Sequence, residues 1–280
     1  MKKIVLLLCV VLVSFSMQAQ VMTPQPSPVS KMEQKVGLTD VSLEYSRPSM
    51  RDRAIFGDLV PYDKLWRTGA NKNTMVTFSD DVTVDGQELK AGSYAIFTKP
   101  GAASWEVIFY ADTNNWGTPR EWDDSKVAAK TSVEVFPIPM PIETFTISFD
   151  DLTNNSAVLG IMWEKSYVGV KFDVPTSDKA TKSIETVMSG PSANDYYAAA
   201  SYYYEEGKEL EKAKEWIAKA VSLNDKAFWM MRRQSLIHAK LGDTKGAIEA
   251  AKKSLAAAEA ANNADYVKLN QDSLKEWGAL

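Results

Sequence analysis

Residues 144–149 read Thr144-Phe145-Thr146-Ile147-Ser148-Phe149, with polar and apolar side chains in strict alternation. A period of two is the pleat of a strand with one face buried and the other wet. Upstream the same alternation recurs at Val41, Leu43 and Tyr45, and again at Val82 and Val84 before Asp85-Gly86 and Gln87-Glu88-Leu89. Asp-Gly between two such runs predicts a hairpin, because both central residues of its turn need positive φ. Ser93 to Thr98 ends at Pro100-Gly101, and Trp105 to Phe109 opens the next strand. Downstream, Asp151 to Asn155 is a polar turn, Ala157 to Trp163 resumes, and Val168, Val170 and Phe172 complete the set. Short punctuated strands without helices between them predict an all-β antiparallel sandwich or jelly-roll-like domain over residues 35–174. A parallel sheet would instead read as continuous apolar runs.

Beyond Pro175 the period changes. Ile184, Val187 and Met188 suit a linker helix within 175–191, stopped by Gly190-Pro191, and Ser192 with Asp195 forms a capping-box pattern for the next helix. Within the helical module over 192–280, residues 194–260 repeat at a spacing of 34: Ala213 corresponds to Ala247, Ala220 to Ser254, Ser201 to Ser235 and Tyr204 to His238. This spacing of small and aromatic residues resembles the tetratricopeptide repeat, an all-α array of antiparallel helix pairs. Residues 263–277 supply a capping helix. On helical spacing Tyr197 and Tyr204 share a face and are expected in the core. Asp195, Tyr202 and Glu206 fall where such repeats present a groove to a peptide partner. Intramolecular docking is the competing use of that face.

At the other end, Met1-Lys2-Lys3 precedes the apolar run Ile4 to Val13 and a small, polar stretch to Ala19. This is the pattern of a signal peptide over 1–19, too short to span a bilayer. Residues 20–34 follow as an extended lead-in with Pro24, Pro26 and Pro28. The protein is therefore expected to be exported, periplasmic or secreted, after cleavage near Ala19. Cys9 is the one cysteine, so the mature chain has no disulfide, thiolate nucleophile or cysteine-based metal site. His238 is the one histidine, read as an aromatic packed between repeat helices, with no carboxylate–histidine spacing around it. Neither a metal nor a cofactor is expected. Losing Lys2 and Lys3 leaves 30 basic against 36 acidic residues, which gives no footing for nucleic acid.

Two long stretches interrupt the strands, Arg47 to Asn73 and Asp112 to Ser125. Binding residues concentrate on such loops. In them Tyr45 to Ser49, Ile55 to Tyr62 and Leu65 to Asn71 are followed by Leu89 to Tyr94 and Asn115-Trp116-Gly117. In this order the segments resemble domain of unknown function 2911, over about residues 27–172. The resemblance implies an exported bacterial β-domain, often followed by tetratricopeptide-like helices, and carries no catalytic residue. Arg47 and Arg67 are forked donors suited to carboxylate or phosphate. Tyr62, Trp66 and Trp116 offer flat faces, and Asn71 a polar contact. Together they predict a pocket for a small anionic or carbohydrate ligand. The competing reading is that they staple a long loop to the sandwich. The expected function is thus a binding or interaction protein whose partner is a small ligand or a peptide. The alternative is a carboxylate-dependent hydrolase acting on glycans or envelope material. Such an enzyme needs two carboxylates across a cleft. Adjacent pairs such as Asp80-Asp81 and Asp150-Asp151 are explained by turns.

Overall fold

The computed structural model describes residues 23–188 and 190–280, so the expected leader over 1–19, the cleavage expected near Ala19 and Cys9 lie outside the described residues. The chain divides into two units after Thr176. The first carries ten strands among the described residues: β1 (Val29–Val36), β2 (Thr39–Ser46), β3 (Thr74–Phe78), β4 (Val82–Val84), β5 (Gln87–Leu89), β6 (Gly92–Pro100), β7 (Ser104–Tyr110), β8 (Val127–Glu134), β9 (Phe136–Asp150) and β10 (Ser156–Asp173). They form a six-stranded sheet in the order β1-β2-β3-β6-β7-β8 and a four-stranded sheet in the order β5-β4-β10-β9. Every strand pairing is antiparallel.

The alternation sets which face is buried. On β9, Phe145 and Ile147 point inward; on β2, Val41, Leu43 and Tyr45 do the same, and one core cluster holds them together. The buried Tyr45 hydroxyl ties the sheets: it donates to the Ile147 carbonyl at 3.1 Å and accepts from the Ile147 N–H at 2.9 Å. The hairpin between β4 and β5 turns at Asp85 and Gly86, both with positive φ (48° and 74°). That is the geometry the Asp-Gly pair predicts.

Two features depart from the sequence reading. The first strand begins at Val29, inside the stretch read as a lead-in, and pairs along its full length with β2. It is an edge strand whose Lys31, Glu33 and Lys35 leave little apolar alternation to detect. In addition, Ala157 to Phe172 is one strand, not two. β10 runs through irregularities between Met162 and Ser166, where Glu164 takes φ 54°. A bulge shifts the alternation by one residue and so reads in sequence as a break.

The second unit is helical: α1 (Thr176–Val187), α2 (Ala193–Glu206), α3 (Leu210–Leu223), α4 (Phe228–Lys240), α5 (Thr244–Ala260) and α6 (Ala264–Glu276). Consecutive helices pack together, α2 on α3, α4 on α5 and α5 on α6. Ala213, Ala220, Ala247 and Ser254, the small positions set 34 residues apart, are all fully buried. Ser192 and Asp195 make the reciprocal capping box at the start of α2. The aromatic face of α2 differs from expectation. Tyr203 is buried with Ala199 and Ala200 and stacks on Trp216 at 5.3 Å, while Tyr197 and Tyr204 are half-buried. Positions 196, 199, 200 and 203 make an i, i+3, i+4, i+7 stripe that is buried most deeply, and Tyr197 and Tyr204 pack against the same helical core from its edge.

Phe145 is fully buried against Tyr45, Trp66 and Trp163. Phe145→Ala is expected to cost about 3–5 kcal/mol of stability. Urea unfolding of the β-unit, followed by tryptophan fluorescence, measures it.

Candidate functional site

The segment between β2 and β3, residues 47–73, closes one end of the sandwich. Its start runs beside β9: the Pro48 carbonyl accepts from Phe145 N–H, Ser49 bridges Thr144, and Met50 N–H donates to Glu143 O. Ile55 and Val60 then plug into the core. The Glu164 carboxylate, on the β10 bulge, accepts from the N–H groups of Ile55 (3.5 Å) and Phe56 (3.3 Å). Trp66 and Thr98 exchange backbone hydrogen bonds at 2.8 and 2.9 Å. The Trp66 ring stacks on Trp163 at 6.0 Å and 17°, and edges onto Phe145 at 5.2 Å and Trp105 at 6.3 Å.

Arg67 follows directly. Its Nε is shielded from solvent and has no hydrogen-bond partner among the described residues. Burial pulls the guanidinium below its ordinary pKa, although arginine keeps its charge in proteins. It faces a cleft of about 350 Å³ lined also by Arg51, Arg53, Leu59, Trp66 and Trp163. Pro26, Ser27, Pro48 and Ser49 supply backbone and small side chains to the rim. Three of the lining residues are arginines and none is a carboxylate. Two of the arginines are partly spent on carbonyls. Arg53 donates to Met50 O and Ser49 O (2.8 and 2.7 Å), and Arg51 to Pro26 O (3.2 Å).

The six residues expected at a ligand pocket separate. Trp66 and Arg67 line the cleft. Arg47 is a staple: its Nε donates to Phe145 O at 3.0 Å and its Nη2 to Thr146 Oγ1 at 2.7 Å, tying the end of β2 to β9. Asn71, left-handed at φ 58°, holds the loop by donating to Ser27 O and Ser46 Oγ. Tyr62 lies outside the lining and covers Gly57, where φ is 91° and a Cβ would fall 2.7 Å from the Tyr62 ring. Trp116 is also outside it and 79% exposed. The neighbouring Gly117 donates to Asn71 O and passes close to the Arg67 guanidinium. Arg51, Arg53 and Trp163 escaped the sequence reading. The signal for the first two was the Arg51-Asp52-Arg53 triplet inside a loop already singled out.

In the helical unit, Asp195 is engaged in its capping box, whose bonds from Ser192 hold the carboxyl below the ordinary range. Tyr202 is half-buried among the helical aromatics beside Tyr203, and burial raises its pKa. Glu206 is partly exposed near the end of α2. His238 does have a carboxylate partner, contrary to the reading of its sequence surroundings. Its Nδ1 lies 2.8 Å from Asp243 Oδ2, and Asp243 caps α5 through Gly246 N–H at 2.9 Å. The five-residue separation spans the turn between α4 and α5, so it matches no spacing on a single helix. Among the described residues no group of three or more His, Cys, Asp or Glu is placed to hold a metal, and no helix is long and apolar enough to cross a membrane.

The sequence profile of a family described as "Protein of unknown function (DUF2911)" matches residues 27–172, the β-unit with its cleft. No curated protein matches the chain.

Two substitutions check these placements. Arg47→Met removes two charge-assisted bonds between the sheets and is expected to cost about 1–3 kcal/mol in a denaturant melt. The Asp243 carboxyl is held below its ordinary range by Gly246 N–H and then by His238. The stability it contributes is therefore complete above its unfolded pKa of about 3.9 and is lost as pH falls through the lower folded value. Asparagine keeps the cap and removes the charge. Circular-dichroism melts of Asp243→Asn should trail the parent protein at pH 7 and converge with it once pH falls below the folded value.

Proposed function

The chain belongs to the DUF2911 family, proteins of unknown function, and from the cleft at Arg67 we propose that it is an exported binding protein for a small anionic ligand. The carrying observation is the Arg67 guanidinium, with its Nε shut from solvent and unpaired, in a cleft of three arginines and no lining carboxylate. Leaving a buried donor unpaired costs about 1–3 kcal/mol, more for a charged group. A structural arginine, such as Arg47, spends its donors on carbonyls and hydroxyls; Arg67 does not. A carboxylate or phosphate would satisfy it with paired, charge-assisted bonds.

Export to the periplasm or beyond rests on the leader pattern over residues 1–19. The helical unit is read as tetratricopeptide-like on its 34-residue spacing and buried small residues, and as a surface for a protein or peptide partner. The hydrolase reading is disfavoured, because a general acid and its partner carboxylate have no counterpart in the cleft lining.

The test is a thermal-shift titration of the mature protein with inorganic phosphate and citrate against neutral glucose. Ligand at a hundredfold excess over Kd stabilises by about 2.7 kcal/mol. The anions are expected to raise the melting temperature and glucose to leave it unchanged. Arg67→Met should abolish the rise while melting, without ligand, at or above the parent's temperature. A collapse of stability in Arg67→Met would make the residue a staple and reject the proposal.

A further inference from the structure

The rim of the Arg67 cleft holds a turn built against its own sterics. Arg53 N–H donates to Met50 O at 3.2 Å, closing a four-residue turn whose central residues are Arg51 and Asp52. Both are left-handed, at φ 50° and 59°. Positive φ at both central positions defines the type I′ turn, for which Asn-Gly is the favoured pair. Arginine and aspartate carry a Cβ penalty there that glycine escapes. The surroundings impose the conformation. Glu143 receives Met50 N–H on its carbonyl (2.8 Å) and Arg51 N–H on its carboxylate (3.0 Å). Residues held in rare backbone conformations cluster where function needs them. The turn places Arg51 and Arg53 in the lining of the cleft that Arg67 also lines, while Nε of Arg51 and Nη1 of both keep donors uncommitted to the protein. Apart from Ser27 and Ser49, the rest of the lining is apolar. Leu59, 44% exposed, stands on it with Val60 and the stacked Trp66–Trp163 pair.

We propose that the cleft takes a phosphate monoester with an apolar body, its dianionic head held between Arg67 and the Met50–Arg53 turn and its body laid on Leu59 and Trp66. This rests on the anion-binding reading above and narrows it. Three guanidinium groups around a space of about 350 Å³ repel one another, and a dianion offsets that repulsion better than a single charge. A phosphate also offers three acceptor oxygens to arginine forks arriving from different sides. Indole and leucine surface beside the head favours a ring or short acyl chain over a second polar group.

The experiment measures affinity by calorimetry for phenyl phosphate, inorganic phosphate and benzoate, using the full mature chain. Phenyl phosphate is expected to bind at least roughly ten-fold tighter than either, one comparison reading the apolar wall and the other the second charge. Arg51→Gly relieves the left-handed strain and removes one fork. It should melt no lower than the parent yet bind phenyl phosphate roughly ten-fold more weakly. Flotation with phosphatidylcholine vesicles containing phosphatidate separates the sources: co-flotation lost in Arg67→Met identifies a lipid phosphate, and its absence a soluble ester. Equal affinity for phenyl phosphate and inorganic phosphate, or for phenyl phosphate and benzoate, overturns this inference while leaving anion binding intact. An unchanged affinity in Arg51→Gly also overturns it. Failure of every anion to bind removes the broader reading instead.

Discussion

The stacking of Trp66 on Trp163 is the contact on which the β-unit's end depends. A sandwich of two twisted sheets splays at its ends, where strands stop and the inner faces would meet water. Here that gap is closed by aromatic surface from a loop. Trp66, Trp163, Phe145, Trp105 and Phe56 meet edge to face, with one parallel pair among them. Phe56 and Trp66 come from the loop, Trp105 from β7 in one sheet, and Phe145 and Trp163 from β9 and β10 in the other, so their mutual packing fixes the loop over residues 47–73 onto both sheets. The Trp66 indole N–H turns back to Gly69 O at 3.1 Å, which leaves the ring no buried orphan. Once Trp66 is inserted, the next residue has little choice. Thr68 is buried with φ 56° and donates to the Thr98 hydroxyl, so Arg67 is caught between two anchored neighbours.

That position explains why two arginines twenty residues apart end with opposite roles. Arg47 leaves β2 alongside β9 and finds a carbonyl and a hydroxyl within bonding distance. Arg67 is delivered beside indole rings, where no acceptor waits. A loop optimised for stability would place a neutral side chain there, since a shielded and unpaired Nε on a half-buried cation opposes folding. Natural proteins tolerate such losses where a site requires them, and the aromatic packing beneath is large enough to carry one.

The sequence made the architecture legible because periodicity is a local property. Alternation at Thr144 to Phe149 and the Asp85-Gly86 turn each depend on a few neighbouring residues, and both appear as strands and turn where expected. The 34-residue spacing likewise located buried Ala213, Ala220, Ala247 and Ser254. Legibility failed where a tertiary partner decided the outcome. The β1 edge strand is held by its full register with β2, not by an apolar face of its own. On α2 nearly every position of a tyrosine-rich helix could pack, and Trp216 on the next helix selected Tyr203. His238 met Asp243 only because a turn folds the start of α5 back onto the end of α4.

The cleft belongs to the same class of information. Trp66 and Arg67 stood out in sequence as unusual residue types in a long loop, and both line it. Arg51 and Arg53 did not stand out, because exposed arginines in a charged loop are ordinary. Their meaning comes from Glu143, a residue about ninety positions away, which pins the turn that presents them. Asp52 tolerates left-handed backbone, but Arg51 has no such preference and no glycine stands beside them, so no local pair announced that turn. A surface selected only for solubility would relax it to Asn-Gly and lose nothing. The presence of two β-carbon-bearing residues at those positions, with both arginines lining Arg67's cleft, is where local conformational cost and long-range charge placement coincide.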